Sequence, residues 1–364
     1  MFYIKDLKFN NFRCFKSQSF AFRPNINILV GDNGSGKTTI VEGISYLCLG
    51  KSFKNAKDKD VLRFNEDYFN IISNIYDESD EKLIISYDGK QKKIKSKEFV
   101  YKTLSEHVGK YKLISFCPDD LDIIKGSPSN RRSLLDVFIS QYDNRYLKAL
   151  VEYKKILKIR NEFLKSIENN TFDKIMFDVI TSKLIENGEV IIKLREKYIG
   201  VLNERIKEVS KLLINDNKTV EITYLSDVNR ENYKETIISS QKIDILSKTT
   251  TRGPQKDDLL IKYDNNDASS FASQGQIRVS VLAIKLAMFE LFSYINSNVI
   301  MILDDVFSEL DTKRQIYLME YIKKVGQVFI TTTEINKLPS NLINESNVIE
   351  IKEGESNVWY ERKH

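Results

Sequence analysis

The sequence predicts an α/β protein, a mixed sheet with packed helices, interrupted by an inserted α-helical arm. Three observations carry that reading. Residues 26–30 (INILV) and 299–303 (VIMIL) are continuous apolar runs of strand length near the two ends of the chain, the pattern of strands covered on both faces. The first run leads into a glycine-rich turn and then into residues 37–49, which have the apolar spacing of a helix. Between the two runs, residues 145–215 contain no proline and keep a helical period throughout.

Taken in order, residues 2–22 alternate as strands do. Residues 69–76, 82–87 and 91–95 read as antiparallel strands, the last two joined through Asp88-Gly89, a hairpin-turn pair. In the middle, Tyr146, Leu150, Tyr153, Leu157, Arg160, Leu164 and Ile167 step by four and three, with Arg160 breaking the apolar seam. Phe177, Ile180, Leu184, Asn187, Ile191, Leu194, Tyr198 and Val201 repeat the pattern, with Asn187 as the exception. The polar turn Glu168-Asn169-Asn170-Thr171 between them predicts an antiparallel pair. The first helix reaches only about 35 Å at ~1.5 Å per residue, so the pair is a short arm, or a plain helical subdomain, and not a long coiled coil. The expected division is an ATPase-type lobe from residues 1–115 with 245–364, and a helical lobe from 116–244.

The chain has 364 residues, 41% hydrophobic and 29% charged, enough for about two domains with a large core. This composition argues against wholesale disorder. Cys14, Cys48 and Cys117 form no C-x-x-C pair, and the only histidines are His107 and His364, which argues against disulfide staples and structural zinc. No window reaches the 18 or so apolar residues of a membrane span, and the opening MFYIKDLKFNNFRCF lacks the features of a targeting segment. A reducing, cytoplasmic setting without membrane association is the expectation.

Directly after the first apolar strand comes GDNGSGKTT: Gly31, Asp32, Asn33, Gly34, Ser35, Gly36, Lys37, Thr38 and Thr39. This is a complete G-x-x-x-x-G-K-T in the strand-to-helix context that a phosphate-binding loop requires. The glycines let backbone N–H groups face phosphates and the helix N-terminus adds its dipole. Lys37 is expected to reach the β- and γ-phosphates of a nucleotide and Thr38 to ligate Mg²⁺. The second apolar strand ends in Asp304-Asp305. Asp304 is the expected Mg²⁺ carboxylate and Asp305 the group that polarises water, the alternative for Asp305 being a solvated surface acid. A third element, Ser273, Gln274, Gly275 and Gln276, opens the helical stretch 277–292. Taken alone it is helix capping; beside the other two it resembles the signature motif of ATP-binding-cassette ATPases, which completes the site of an opposite subunit.

Seven segments in order, KFNNFRCF, GDNGSGKTT, FCPDDL, KGSPSNRR, GPQKDDL, SQGQIR and LDDVFSELD, resemble the RecF family, bacterial DNA replication and repair ATPases related to SMC and Rad50 proteins. The resemblance covers almost the whole chain. It implies a P-loop, ABC-type ATPase head with ATP and Mg²⁺ as cofactors, and an ATP-dependent homodimer on double-stranded, gap or junction DNA. Weak, DNA-stimulated hydrolysis and RecO- and RecR-like partners that help load the recombinase are also implied. Carried over by position, residues 31–39 bind nucleotide, Ser273, Gln274, Gly275 and Gln276 reach the partner's γ-phosphate, and Ser308 to Asp311 face the dimer partner. Arg13 lies beside the nucleotide. Three departures stand out. Asp305 is shorter than the glutamate usual there, Thr333 stands near the expected histidine and cannot gain its charge, and Gln255-Lys256 replaces the His-Arg that follows Gly-Pro.

For DNA, residues 145–215 hold 15 Lys plus Arg against 10 Asp plus Glu. Lys90, Lys92, Lys93 and Lys95, with Lys97, cluster in eight residues without an acid. Arg131 and Arg132 lie on a helix opened by Ser127 and Pro128. Such groups suit phosphate-backbone contact, and as single lysines they equally suit a solvated surface. A transporter ATPase subunit, a Rad50-type tether, a P-loop small-molecule kinase and another SMC-like repair or defence ATPase are the alternatives. The short arm and the absence of a C-x-x-C hook speak against a tether. The S-Q-G-Q segment is superfluous for a kinase.

Overall fold

A computed structural model describes residues 2–97, 99–167, 173–214, 218–295 and 299–352. The chain divides into two compact units, residues 1–120 with 285–364, and residues 121–284.

The first unit begins with strands β1 (Tyr3–Ile4), β2 (Asp6–Phe12), β3 (Phe15–Ala21) and β4 (Asn25–Val30), then helix α1 (Lys37–Leu49). Next come β5 (Phe69–Asp77), β6 (Ser79–Tyr87), β7 (Lys92–Lys95), β8 (Val100–Tyr101) and β9 (Lys112–Phe116). The hairpin read from Asp88-Gly89 is present: Asp88 N–H donates to the Gln91 carbonyl at 3.2 Å, and Gly89 has φ 81°, a left-handed conformation glycine adopts at no cost.

The second unit continues with α2 (Asp122–Lys125), α3 (Pro128–Tyr142), α4 (Asn144–Ser166) and α5 (Lys174–Leu213). It then adds β10 (Val220–Leu225), α6 (Tyr233–Ser239), α7 (Gln241–Ser247), β11 (Asp258–Tyr263), β12 (Asn266–Asp267) and α8 (Ala268–Phe271). Helix α9 (Gln274–Ile295) runs across the boundary, and the chain re-enters the first unit as β13 (Val299–Asp304), α10 (Thr312–Ile322), β14 (Gln327–Thr332), α11 (Ser340–Asn344) and β15 (Asn347–Glu350).

The expected mixed sheet of the first unit resolves into two sheets. One is parallel throughout, in the order β15-β4-β14-β13-β9. Every residue of β13 and β14 is buried, as strands covered on both faces require. The other is antiparallel, in the order β3-β2-β5-β6-β7-β8 with β1 on β5. Gln327, fully buried, ties them together: its Oε1 accepts from Ile4 N–H at 2.8 Å, and its Nε2 donates to the carbonyls of Ile4 and Arg23 at 2.9 and 3.0 Å. Helix α1 lies against the antiparallel sheet so closely that a Cβ on Gly43 would meet the Phe9 ring at 2.4 Å.

In the second unit, α4 and α5 form the expected antiparallel pair. Tyr146 meets Arg195, Arg160 meets Thr181, and Phe163 stacks on Phe177. The turn expected at 168–171 lies outside the described residues. Arg160 does not break the seam but is buried within it. Its guanidinium donates to Asp244 at 2.8 Å and Thr250 at 2.7 Å and lies over the Phe177 ring. The unit also contains a three-stranded antiparallel sheet, β10-β11-β12, which the helical period of the middle gave no sign of. That sheet explains the shift in the boundary. Residues 245–284, expected with the ATPase lobe, cluster with the helical unit because β11 pairs along its length with β10. Arg131 of α3 also grips Asp258 in two hydrogen bonds, and Arg195 of α5 grips Asp257.

Candidate functional site

The phosphate loop is built as the spacing predicts. It follows β4 and ends at Gly36, whose φ of 106° opens α1. Gly31 has no room for a side chain, since a Cβ would lie 2.3 Å from the Ile351 carbonyl. At Gly36 a Cβ would lie 2.6 Å from the Phe15 ring, in addition to the strain of positive φ. Asp32, Asn33 and Gly34 are exposed at the tip, while Ser35 is buried and its hydroxyl has no hydrogen-bond partner. An orphaned buried hydroxyl inside a cradle of glycines fits an oxyanion that accepts its proton. The Lys37 ammonium is folded back onto the loop, donating to the carbonyls of Gly31 at 2.6 Å and Asp32 at 2.8 Å. Burial lowers its pKa, opposed by the nearby charges of Asp305, Asp304 and Asp32.

Although 266 residues apart in sequence, Thr38 and Asp304 are neighbours: the Thr38 hydroxyl lies 3.2 and 3.3 Å from the two carboxylate oxygens. The parallel order places β4 and β13 on either side of β14, so both loops emerge from the carboxyl edge of one sheet, where ligand sites of such sheets form. Burial raises the Asp304 pKa, partly offset by hydrogen bonds from Thr331 and Thr38 and by the Lys54 charge. A hydroxyl and a carboxylate at this distance form an oxygen donor set suited to Mg²⁺. Asp305 has φ 58°, a left-handed conformation in which aspartate is enriched.

Three residues at this edge escaped the sequence reading. The hydroxyl that serves the two aspartates belongs to Thr331, not Thr333: it donates to Asp304 Oδ1 at 2.7 Å and accepts from Asp305 N–H at 3.0 Å. Thr331 is paired with Asp304 in the β13-β14 register, whereas Thr333 lies past the strand end, half-buried. Lys54, in the loop after α1, brings its ammonium to 4.0 Å from Asp304. Glu42 on α1 fixes that loop by accepting from the Ser52 hydroxyl at 2.5 Å, and the same hydroxyl accepts from Lys54 N–H at 3.0 Å. Arg13 is also held by Glu42, in two hydrogen bonds of 2.8 Å. Its guanidinium, expected beside the nucleotide, is committed to that carboxylate and to the Asp60 carbonyl at 3.0 Å.

Ser273 and Gln276 cap α9 reciprocally: Ser273 N–H donates to Gln276 Oε1 at 2.8 Å, and Gln276 N–H donates to the Ser273 hydroxyl at 3.3 Å. This capping box leaves Ser273, Gln274 and Gly275 exposed, with open space where a Gly275 side chain would be.

Residues 3–355 match the family model described as the RecF/RecN/SMC N-terminal domain. The chain is 38% identical to the DNA replication and repair protein RecF of Clostridium acetobutylicum, over 97% of this chain and 98% of that one. The chain belongs to the RecF family. With the RecF of Bacillus mycoides it shares 32% identity over 99% of this chain and the whole of the relative. A solved structure of the recombination mediator protein RecF with ATP, described in the RecFOR pathway, superposes with a TM-score of 0.88 at 30% identity, covering 98% of each chain. The Smc head domain of Pyrococcus furiosus shares the fold at a TM-score of 0.54 and 18% identity. The fold is thus the ABC-type ATPase head of the RecF and SMC proteins.

Other RecF-like positions are set by local bonds. Ser308 donates to the Asp305 carbonyl at 2.8 Å, and Asp311 caps α10 through Arg314 N–H at 3.0 Å, leaving both exposed on the loop after β13. Among the DNA candidates, Lys90, Lys93 and Lys95 are exposed. Lys92 points the other way and is spent on Asp58, at 2.7 and 2.8 Å, over the Tyr46 ring. Arg131 and Arg132 hold Asp258 and the Asp257 carbonyl, respectively, so their arginine character serves the second unit's own packing. No described helix is long and apolar enough to cross a membrane.

Proposed function

We propose that this protein is an ATP-dependent DNA-binding ATPase of recombinational repair and replication-fork maintenance. The observation that carries the reading is the meeting of Thr38 and Asp304 beside a glycine cradle with an orphaned serine. Phosphates would be taken by the loop N–H groups and by Lys37, whose ammonium has only to leave two loop carbonyls. Mg²⁺ would be held by Thr38 and Asp304 and would supply charge neutralisation for phosphoryl transfer. Thr331 keeps Asp304 ionised and oriented, and Asp305 orients the attacking water. The exposed cap at Ser273, Gln274, Gly275 and Gln276 would complete the site of a second copy, making dimerisation ATP-dependent, and Ser308 and Asp311 would face that copy. Closure on ATP would clamp double-stranded, gap or junction DNA by its backbone, with weak DNA-stimulated hydrolysis for release. Support for this reading comes from the named relatives, one of them an ATP-bound mediator of the RecFOR pathway; RecO- and RecR-like partners, a role in loading the recombinase and a cytoplasmic location follow from it.

The test is light-scattering mass together with ATP turnover, with and without double-stranded DNA, comparing the protein with Ser273→Arg. ATP is expected to convert monomer to dimer and DNA to raise turnover, both lost on substitution. A monomer that hydrolyses ATP regardless of DNA and of Ser273 would sink the proposal.

A further inference from the structure

The antiparallel sheet of the first unit has one buried face and one open face. Leu7, Phe9, Phe20, Ile71, Leu83, Ile85 and Ile94 fill the core, so the alternate residues of the same strands point outward. The ladder register assembles them into rows. One row is Ser19, Lys8, Ile72, Ile84 and Lys95; the next is Ser17, Asn10, Asn70, Ser86 and Lys93; on the opposite flank Asn74 pairs with Lys82. Lys8, Lys82, Lys93 and Lys95 are exposed, and among the described residues no carboxylate lies within ion-pair distance of any of them. Acids occur only at the margins, and each is engaged. Asp6 accepts from Asn74, Asp80 binds Lys5, and Asp88 in the hairpin turn accepts from the N–H groups of Lys90 and Gln91.

We infer that this open sheet face is a landing surface for the phosphate backbone of duplex DNA. The inference rests on the DNA reading above and gives it a place. Strands lie about 4.8 Å apart and alternate residues about 6.8 Å apart, so Lys8 and Lys95, three ladder steps from one another, span about 14 Å. That span corresponds to about eight phosphate charges along a duplex axis. Ile72 and Ile84 stand between Lys8 and Lys95, and the neighbouring row that ends in Lys93 carries serine and asparagine side chains, neutral donors of the kind that accompany backbone contacts. No aromatic stands in the two lysine rows; the Tyr3–Tyr76 pair on the flank beyond Lys82 is half-buried, with the Lys5 ammonium over the Tyr76 ring, so the lysine rows themselves offer no stacking platform for single-stranded bases. Rows rich in lysine and free of aromatic anchors are also the reverse of a protein–protein interface core. Lys8 and Lys82 join the surface although they lie outside the lysine cluster visible in the sequence, and Lys92 leaves it.

The experiment is duplex-DNA affinity across salt concentrations, by fluorescence anisotropy with a labelled duplex, for the full chain with ATP. The quadruple variant Lys8→Ala, Lys82→Ala, Lys93→Ala and Lys95→Ala is compared with a variant lacking the exposed arm lysines Lys148, Lys155, Lys158 and Lys165. At about 0.9 per phosphate contact, the salt slope of the sheet variant is expected to fall by about 3 to 4. Its affinity loss between 50 and 200 mM salt is then on the order of 100-fold smaller than that of the unmodified protein, while ATP binding and the arm variant's slope stay unchanged. A sheet variant that keeps the full slope overturns the placement, and so does loss of the slope in the arm variant alone. If the unmodified protein binds no duplex, the DNA reading itself falls, and the face with it.

Discussion

Replacing Thr331 with valine removes one hydroxyl while preserving the shape and the branched β-carbon that suit a central strand. That hydroxyl makes two bonds in a buried place, donating to Asp304 Oδ1 at 2.7 Å and accepting from Asp305 N–H at 3.0 Å. Its loss removes a hydrogen bond to a charged group and leaves a backbone donor unpaired, each worth roughly 1–3 kcal/mol. The two effects share one atom, so the expected destabilisation is about 2–4 kcal/mol. The functional effect follows from the same bond. Without its donor, Asp304 binds a proton more tightly, and more Mg²⁺ is needed to reach half-maximal ATP turnover. Equilibrium urea unfolding followed by circular dichroism measures the first effect, and turnover against Mg²⁺ concentration measures the second. Thr333→Val is the comparison and is expected to be near neutral in both. If Thr331→Val shifts stability by less than about 0.5 kcal/mol and leaves the Mg²⁺ requirement unchanged, the assignment of this hydroxyl to the site is refuted.

Two further outcomes are expected. Asp304→Asn stabilises the nucleotide-free protein at neutral pH while abolishing turnover. Burial raises the native Asp304 pKa above its unfolded value, so the fold bears the cost of the charge above the native pKa and is relieved of it below about 4, where both states are protonated. The stability difference between the two proteins therefore shrinks as pH falls, and an unfolding series from pH 7 to pH 4 checks the sign. Arg160→Ala strands Asp244 in the core of the second unit, at a cost of about 3–5 kcal/mol. Much of that loss is expected to return in Arg160→Met with Asp244→Asn, measured by the same unfolding assay.

The phosphate loop could be read before any fold was known because it is local. Its glycines, Lys37 and Thr38 occupy consecutive positions, and the backbone path that cradles a phosphate follows from their order. The same holds for the Ser273–Gln276 capping box, for the hairpin at Asp88-Gly89, and for the two arm helices, whose apolar period is written every three or four residues. Asp304 was legible for a related reason, since it ends an apolar strand.

Thr331 was not legible, because three consecutive threonines close β14, two inside the strand and one past it, and only the register between parallel strands selects which of them faces Asp304. Lys54 is one lysine among many, and it reaches Asp304 only because Glu42 and Ser52 fold its loop back over α1. Arg160 looked like a flaw in a seam until Asp244, 84 residues away, supplied its counter-charge. The lysine run 90–97 was visible as charge, but a strand alternates its faces, so Lys92 turns inward to Asp58 while Lys93 and Lys95 turn out beside Lys8 and Lys82. Residues near one another in sequence thus determined the loop, the caps, the helices and the family. Pairings between distant segments were decided only by tertiary structure, because strand register and burial fix which side chains meet and which face solvent.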